Sequence, residues 1–323
     1  MKLMIQIPCF NEEKTLPGTI KDLPEEIEGI DGIEYLVIND GSTDKTALVA
    51  RQLGVNHIIS FPNNRGLARG FIAGIDACLK LGADIIVNTD GDNQYRGNNI
   101  EKLIQPIISG DADIVVGDRQ VEKVQHFSFM KKKLQKLGSG VVRMASGCSV
   151  ADTTSGFRAY SRDAAMRLNV VSDYSYTLET LIDAGRKRMA IKCVPVEINK
   201  PTRESRLFKS VLSYIKESAS TIIRTYAMYK PLKVFLSFSL VSFTTGFIIG
   251  LRFLYYYYLG QGAGHVQSLI LAAILIIISF QLAIFGMLAD AISANRMIND
   301  ELLYRLKRLE YEDDSPINET ESK

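Results

Sequence analysis

Where the apolar stretch Ala83-Asp84-Ile85-Ile86-Val87 gives out, the chain reads Asn88-Thr89-Asp90-Gly91-Asp92-Asn93-Gln94, so two carboxylates and a carboxamide leave a buried strand together. Strand residues alternate between faces, which puts Asp90, Asp92 and Gln94 on one side. Hard oxygen donors of this kind suit Mg²⁺ or Mn²⁺ holding a diphosphate. An isolated Asp-x-Asp triplet carries little weight, because turns select Asp, Asn and Gly for their own reasons. It gains weight from what stands at equivalent places elsewhere.

Short, mostly apolar runs at Leu3–Ile7, Tyr35–Ile38, Val55–Ser60, Asp84–Val87 and Ile114–Val116 alternate with helical patterns near 12–27, 43–53, 67–81 and 98–109. That order predicts an α/β domain, a mainly parallel sheet with helices on both faces. Ligands of such folds collect at the carboxyl ends of the strands. Polar clusters sit there: Pro8-Cys9-Phe10-Asn11-Glu12-Glu13 after the first run, Asn39-Asp40-Gly41-Ser42-Thr43-Asp44 after the second, and the Asp90–Gln94 run after the fourth. Ser42 and Glu13 also suit helix caps and first turns. Asp40, ending an apolar strand, is placed to accept a hydrogen bond from the ring N–H of a nucleobase. Asn63 to Gly70 opens a helix, and its backbone N–H groups, with Arg65 and Arg69, either face phosphate or form a plain glycine turn.

The chain has 323 residues, with 38 Lys and Arg against 36 Asp and Glu. No charged residue occurs from Val234 to Leu251, and after Arg252 none from Phe253 to Ala289 apart from His265. About 20 apolar residues cross the roughly 30 Å of hydrocarbon, so two membrane helices are expected, about 234–256 and 266–289, turning at Gly260–Gly264. Lys209, Lys216, Arg224, Lys230 and Lys233 precede the first and Arg296, Arg305, Lys307 and Arg308 follow the second, whereas the connecting loop has no Lys or Arg. The positive-inside rule then puts both flanks in the cytoplasm. Met1–Pro8 is too short for a secretory signal. Cys9, Cys78, Cys148 and Cys193 have no paired ligand spacing and read as reduced core residues.

Four motifs in order, Ile7-Pro8-Cys9-Phe10-Asn11-Glu12-Glu13, Asn39-Asp40-Gly41-Ser42-Thr43-Asp44, Asp90-Gly91-Asp92-Asn93-Gln94 and Thr154-Ser155-Gly156-Phe157-Arg158-Ala159-Tyr160, followed by two apolar spans, resemble the family 2 glycosyltransferases of GT-A fold. The nearest subgroup is the polyprenyl-phosphate glycosyltransferases, which include dolichol-phosphate mannose synthases. The resemblance implies that Pro8, Phe10, Glu12 and Asp40 line a nucleoside pocket. It also implies that Asp90, Gly91 and Asp92 hold the nucleotide-sugar, with Asp92 and Gln94 as ligands of Mg²⁺ or Mn²⁺. Arg119 matches a basic residue near phosphate, and Asp152 and Arg158 border the acceptor, Asp152 orienting it or taking a residual proton. Glu179 lies where relatives often carry an acid. The family's basic motif before the membrane corresponds to Lys200-Pro201-Thr202-Arg203-Glu204-Ser205-Arg206-Leu207, with Lys in place of the first Arg and Arg in place of Gly, so Lys200, Arg203 and Arg206 are its candidate phosphate contacts.

Independently of the family, residues 119–233 hold 22 Lys and Arg against 9 Asp and Glu, an asymmetry that suits an anionic acceptor at a lipid surface. Residues 207–230 mix apolar and basic positions as an interfacial helix does, whereas Lys131-Lys132-Lys133 reads as a solvated face. The expected division is a catalytic domain at 1–206, interfacial helices at 207–232, two membrane helices at 233–290, and a cytoplasmic part at 291–323 made of an amphipathic helix over Ser293 to Glu310 and a polar tail. The expected partners are a nucleotide-sugar (UDP-hexose or UDP-N-acetylhexosamine ahead of GDP-mannose) and a polyprenyl phosphate, with a second copy of the chain as a further candidate, and no nucleic acid. A processive polymer synthase is disfavoured because its Gln-x-x-Arg-Trp motif needs a tryptophan and the chain has none. P-loop and dinucleotide glycine strings are absent too. The non-enzymatic alternative is a membrane scaffold that binds nucleotide-sugar without turnover.

Overall fold

The computed structural model describes residues 1–120, 152–170, 176–199 and 231–313. Lys200, Arg203, Arg206, the interfacial segment, Lys131–Lys133, Cys148 and the last ten residues lie outside them. The described chain forms two compact units, one of residues 1–222 and 303–323, the other of residues 223–302.

In the first unit, seven strands form one sheet: β1 (Lys2–Cys9), β2 (Gly32–Asn39), β3 (His57–Ser60), β4 (Ile85–Asn88), β5 (Ile114–Asp118), β6 (Arg158–Ser161) and β7 (Ile191–Pro195). Their order is β3-β2-β1-β4-β6-β5-β7. The expected parallel sheet is present, except that β6 runs antiparallel between β4 and β5. The sequence reading lacked β6 and β7. The insertion of β6 matters for function: its first residue, Arg158, pairs with Asn88, the last residue of β4. The segment leading into β6 therefore starts at the rim where β4 ends.

The strands are apolar because both faces are covered. Leu3, Ile5, Ile7, Ile85 and Val87 pack with Leu16, Ile100, Leu103 and Ile104 from α1 (Leu16–Asp22) and α4 (Asn99–Ile108). On the other face, Phe71 of α3 (Leu67–Lys80) meets Tyr160 with ring centroids 5.8 Å apart. Among the described residues, the remaining helices of this unit are α2 (Thr46–Gln52), α5 (Arg162–Arg167) and α6 (Tyr176–Arg186). The helix expected over 12–27 is shorter, since Pro24 forces Leu23 into extended backbone with ψ 144°.

The second unit is a helical hairpin. Helix α7 (Pro231–Tyr258) leads through a 3₁₀ turn (Gly262–His265) into α8 (Val266–Asp313). Both are long and apolar enough to cross a membrane. Ser239 and Ser242 donate to the Ser279 and Leu275 carbonyls at 2.8 and 2.9 Å. Side-chain to backbone bonds of this kind satisfy hydroxyls in an apolar setting.

The amphipathic helix expected at 293–310 is not separate. It continues α8 without a break, because no glycine or proline follows Gly286 within the helix to stop it. From Leu303 onward it belongs to the first unit, where Tyr304, Lys307 and Tyr311 lie against α3 and α5.

Candidate active site

The first two rim loops are laced together by short polar side chains. Asn11, at φ 56°, donates its N–H to Ser42 Oγ (2.9 Å) and accepts from the Thr43 N–H at Oδ1 (2.8 Å). The Glu12 N–H donates to Thr46 Oγ1 (2.8 Å), and the Glu12 carboxylate, itself buried, accepts from Thr15 Oγ1 (2.6 Å). Pro8 is the penultimate residue of β1, just before them, and Phe10 stands 39% exposed.

Asp40 is buried and accepts from two backbone N–H groups, Arg65 at Oδ1 (2.7 Å) and Gly66 at Oδ2 (3.0 Å). Two of the N–H groups that the sequence offered to phosphate are therefore spent on Asp40. A carboxylate has about four lone-pair positions, so Asp40 can anchor this loop and still accept from a ligand. Arg65 is turned over the Phe61 ring, 4.9 Å from its centroid.

The acidic run departs from its expected form. β4 stops at Asn88, and Asp90–Gln94 is a turn in which Asn93 has φ 56° and Asp92 Oδ1 accepts from the Gln94 N–H at 3.1 Å. Asp and Asn side chains compete for nearby backbone groups, which ends the strand. Strand alternation therefore does not align Asp90, Asp92 and Gln94. The turn is pinned instead: Thr19 Oγ1 donates to the Gly91 carbonyl (3.1 Å), and Asn199 donates its N–H to the Gln94 carbonyl (2.8 Å) and its Nδ2 to the Asn93 carbonyl (3.0 Å). A β-carbon on Gly91 would lie 2.8 Å from Cys9 Sγ, so nothing larger than glycine fits there. Burial pushes the Cys9 thiol up, keeping it a neutral core group.

Across from this turn, Asp152 and Arg119 form a bidentate pair, Nε to Oδ2 at 2.6 Å and Nη2 to Oδ1 at 3.0 Å, with Thr154 Oγ1 also accepting from Nη2 at 2.8 Å. Asp152 is only 2% exposed. Burial alone would raise its pKa, but the charge and hydrogen bonds of Arg119, with those of Thr154, hold it below the usual carboxylate range. A carboxylate so paired is a weak proton acceptor. The Arg119 guanidinium, expected at phosphate, is committed to Asp152 and Thr154.

Arg158, expected at the acceptor, is 0% exposed. It donates to the Ser155 carbonyl (2.8 Å), the Thr153 carbonyl (2.9 Å) and Thr180 Oγ1 (2.7 Å), bracing the loop from beneath. Its place in a charged motif did not disclose this burial. Glu179 is also buried, on α6. Burial, then the charge of Asp90, keeps the Tyr176 phenol neutral, and burial pushes Tyr95 up to about 12.

Two carboxylates and a carboxamide on one short turn are hard oxygen donors. Among the described residues no group of three or more His, Cys, Asp or Glu gathers to cage an ion. The donor set of the turn itself, oxygen ligands few in number, suits a cation that keeps waters and takes other ligands from substrate phosphate, as Mg²⁺ does. Reading the sequence did not single out Asn88, Thr154, Tyr176 or Asn199. Asn88 was discoverable as an uncharged polar residue closing a buried apolar strand, as Asn39 closes β2, whereas the others carry no local signal.

The sheet with its carboxylate rim is that of a GT-A glycosyltransferase. A Mycobacterium tuberculosis glucosyl-3-phosphoglycerate synthase, solved with Mn²⁺, UDP and phosphoglyceric acid, superposes with a TM-score of 0.55 at 19% identity, over 70% of this chain and 77% of that one. The family model for glycosyl transferase family 2 matches residues 4–168, and the chain belongs to that family. A UDP-N-acetylglucosamine–dolichyl-phosphate N-acetylglucosaminyltransferase of Methanococcus voltae is 32% identical over 216 residues, covering 59% of this chain and 83% of the relative. An undecaprenyl-phosphate mannosyltransferase of Micrococcus luteus is 27% identical over 212 residues, covering 64% and 85%. The protein is thus a glycosyltransferase whose relatives include polyprenyl- and dolichyl-phosphate sugar transferases.

Proposed function

We propose that this enzyme moves one sugar from a nucleoside-diphosphate sugar to a polyprenyl phosphate at the cytoplasmic face of a membrane, with inversion at the anomeric carbon. The observation that carries this reading is the meeting at one rim of the Asp90–Gln94 turn and the Asp152 loop: a β-carbon on Gly156 of that loop would lie 3.2 Å from Asp90 Oδ1. Donor-side and acceptor-side groups are thereby brought within reach of one reacting bond. The two apolar helices and the lipid-phosphate acceptors named for relatives support a membrane-embedded substrate.

In this reading Pro8, Phe10, Glu12 and Asp40 hold the nucleoside, and Asp90 and Gly91 hold the sugar diphosphate. Asp92 and Gln94 hold Mg²⁺ or Mn²⁺, which when bound neutralises charge on the departing diphosphate. An acceptor phosphate titrates near 6 or below and is already ionised at neutral pH, so its oxygen attacks the anomeric carbon as the bond to the diphosphate breaks, and no general base is needed. Asp152, tied to Arg119, orients the acceptor and takes no proton, and Arg158 supports its loop. Lys200, Arg203 and Arg206 are the proposed contacts of the acceptor phosphate. UDP-hexose and UDP-N-acetylhexosamine are the favoured donors.

Purified protein in detergent, given undecaprenyl phosphate, Mg²⁺ and a panel of UDP- and GDP-sugars, is expected to form a lipid-linked monosaccharide with one donor. Asp92→Ala is expected to lower kcat at least about 100-fold. Full activity in that variant removes the metal assignment, and no glycolipid from any donor removes the reading.

A further inference from the structure

Asn88 opens the acidic run without a role in any of the four family motifs, yet its side chain touches both halves of the rim. It is 0% exposed, at the carboxyl end of β4 and two residues before Asp90. Its carboxamide is fully used: Oδ1 accepts from Gln6 Nε2 on β1 (2.9 Å), and Nδ2 donates to the Gly156 carbonyl (2.8 Å) and to the Tyr176 hydroxyl (2.9 Å). Apart from the strand register, the bond to the Gly156 carbonyl ties the β4 end directly to the Asp152–Phe157 segment.

Gly156 is where the two halves come closest. A β-carbon there would meet Tyr176 Oη at 2.9 Å and the two Asp90 carboxylate oxygens at 3.2 and 3.4 Å. The Asp90 carboxylate therefore lies directly on the Gly156 backbone, and Asn88 holds that backbone by its carbonyl. Upstream in the same segment, Thr154 Oγ1 and Asp152 hold Arg119. Donor-side and acceptor-side carboxylates are thus separated by a strip of four residues, fastened at one end by Asn88 and from beneath by Arg158.

We propose that Asn88 is a positioning residue of the transfer reaction, fixing the Thr153–Gly156 strip against Asp90 so that donor and acceptor meet at one distance. This rests on the glycosyl-transfer reading above. Asn88 touches neither substrate; it acts through the Gly156 carbonyl. A misplacement of the order of 1 Å costs about 100-fold in rate, so its signature is a loss in turnover and acceptor use with donor binding intact.

The test compares Asn88→Asp with wild type for kcat, acceptor KM and the Kd of UDP or GDP with Mn²⁺. The carboxylate keeps the acceptor for Gln6 but cannot donate to Gly156. The expected result is kcat down about 100-fold and acceptor KM raised, with nucleotide Kd within about 2-fold of wild type. Wild-type kcat and acceptor KM in this variant overturn the proposal, as does a loss confined to melting temperature and to the folded fraction. Should Asn88→Asp fail to fold, Gly156→Ala tests the same strip from the other side. Its methyl presses on Tyr176 Oη and Asp90, and kcat is expected to fall likewise. Tyr176→Phe in that background removes the 2.9 Å contact and is expected to restore part of kcat, whereas further loss in the double variant overturns the proposal. Wild-type turnover with any donor tests the transfer reading separately, so the two failures are distinguishable.

Discussion

Asp152 shows how one side chain's environment decides its chemistry. Buried alone, it would tend to hold its proton; paired with Arg119 it stays ionised. Its folded-state pKa lies below the unfolded value near 3.9, so the pair's contribution is complete above about pH 5 and lost as pH falls through the folded pKa. Asp152→Asn is expected to cost about 3 kcal/mol or more at neutral pH by leaving a buried guanidinium uncompensated. In chemical denaturation the gap between wild type and variant should stay constant from pH 7 to about 5 and close below about 4; a gap that widens in acid would contradict the pairing. Residue types at this scale were readable in advance: Asp90, Asp92, Gln94 and Asp40 were found at the rim because each ends an apolar run. What a sequence does not state is burial. Arg158 and Arg119 were read as charges facing substrate, and the structure spends both on neighbouring loops.

At the level of elements, five strands and four helices followed from the alternation of period, and the errors have local causes. Strand β6 is four residues, Arg-Ala-Tyr-Ser, too short and polar to show a pattern, and it is placed by pairing with β4 and β5. The end of α8 is a further case, since amphipathic spacing over 293–310 names an apolar face but not its partner. That partner is the α3–α5 surface. Tyr304 donates to Asp163 Oδ1 (2.6 Å), the Arg167 guanidinium lies 3.9 Å from its ring centroid, and Lys307 pairs with Asp76 at 2.8 Å. The Lys80–Glu310 pair, more than half exposed, adds little. Tyr304→Phe removes one hydrogen bond to a carboxylate and should cost about 1.5–3 kcal/mol, while Tyr304→Ala also loses the ring and the stacked cation. Trypsin cleavage at Arg305, Lys307 and Arg308 is the measurement: rates should rise from wild type through Phe to Ala, and equal rates would mean that this helix end is not held.

For the whole molecule, the charge asymmetry and the compact units support one topology. Residues before and after the hairpin belong to the same compact unit, so an even number of crossings is expected between them. Basic residues flank both outer ends of the hairpin and none lies in its turn, so under the proposed function the positive-inside rule predicts a cytoplasmic catalytic unit with Gly260–Gly264 on the far side. The turn suits an interface: Tyr255, Tyr257 and Tyr258 are exposed, and Tyr256 stacks on His265 with centroids 4.0 Å apart. Aromatic rings collect at headgroup depth for this reason. Two single-cysteine variants test the arrangement, Gly264→Cys, where an added side chain meets open space, and Leu306→Cys, which is exposed on the last turns of α8. The native thiols Cys9 and Cys78 are buried, and Cys193 shares the first unit with Leu306. A membrane-impermeant maleimide added to intact cells should label Gly264→Cys alone, with Leu306→Cys reacting only after permeabilisation. Labelling of Leu306→Cys from outside would place the acidic rim away from cytoplasmic nucleotide-sugar, and the proposed reaction would then lack its donor.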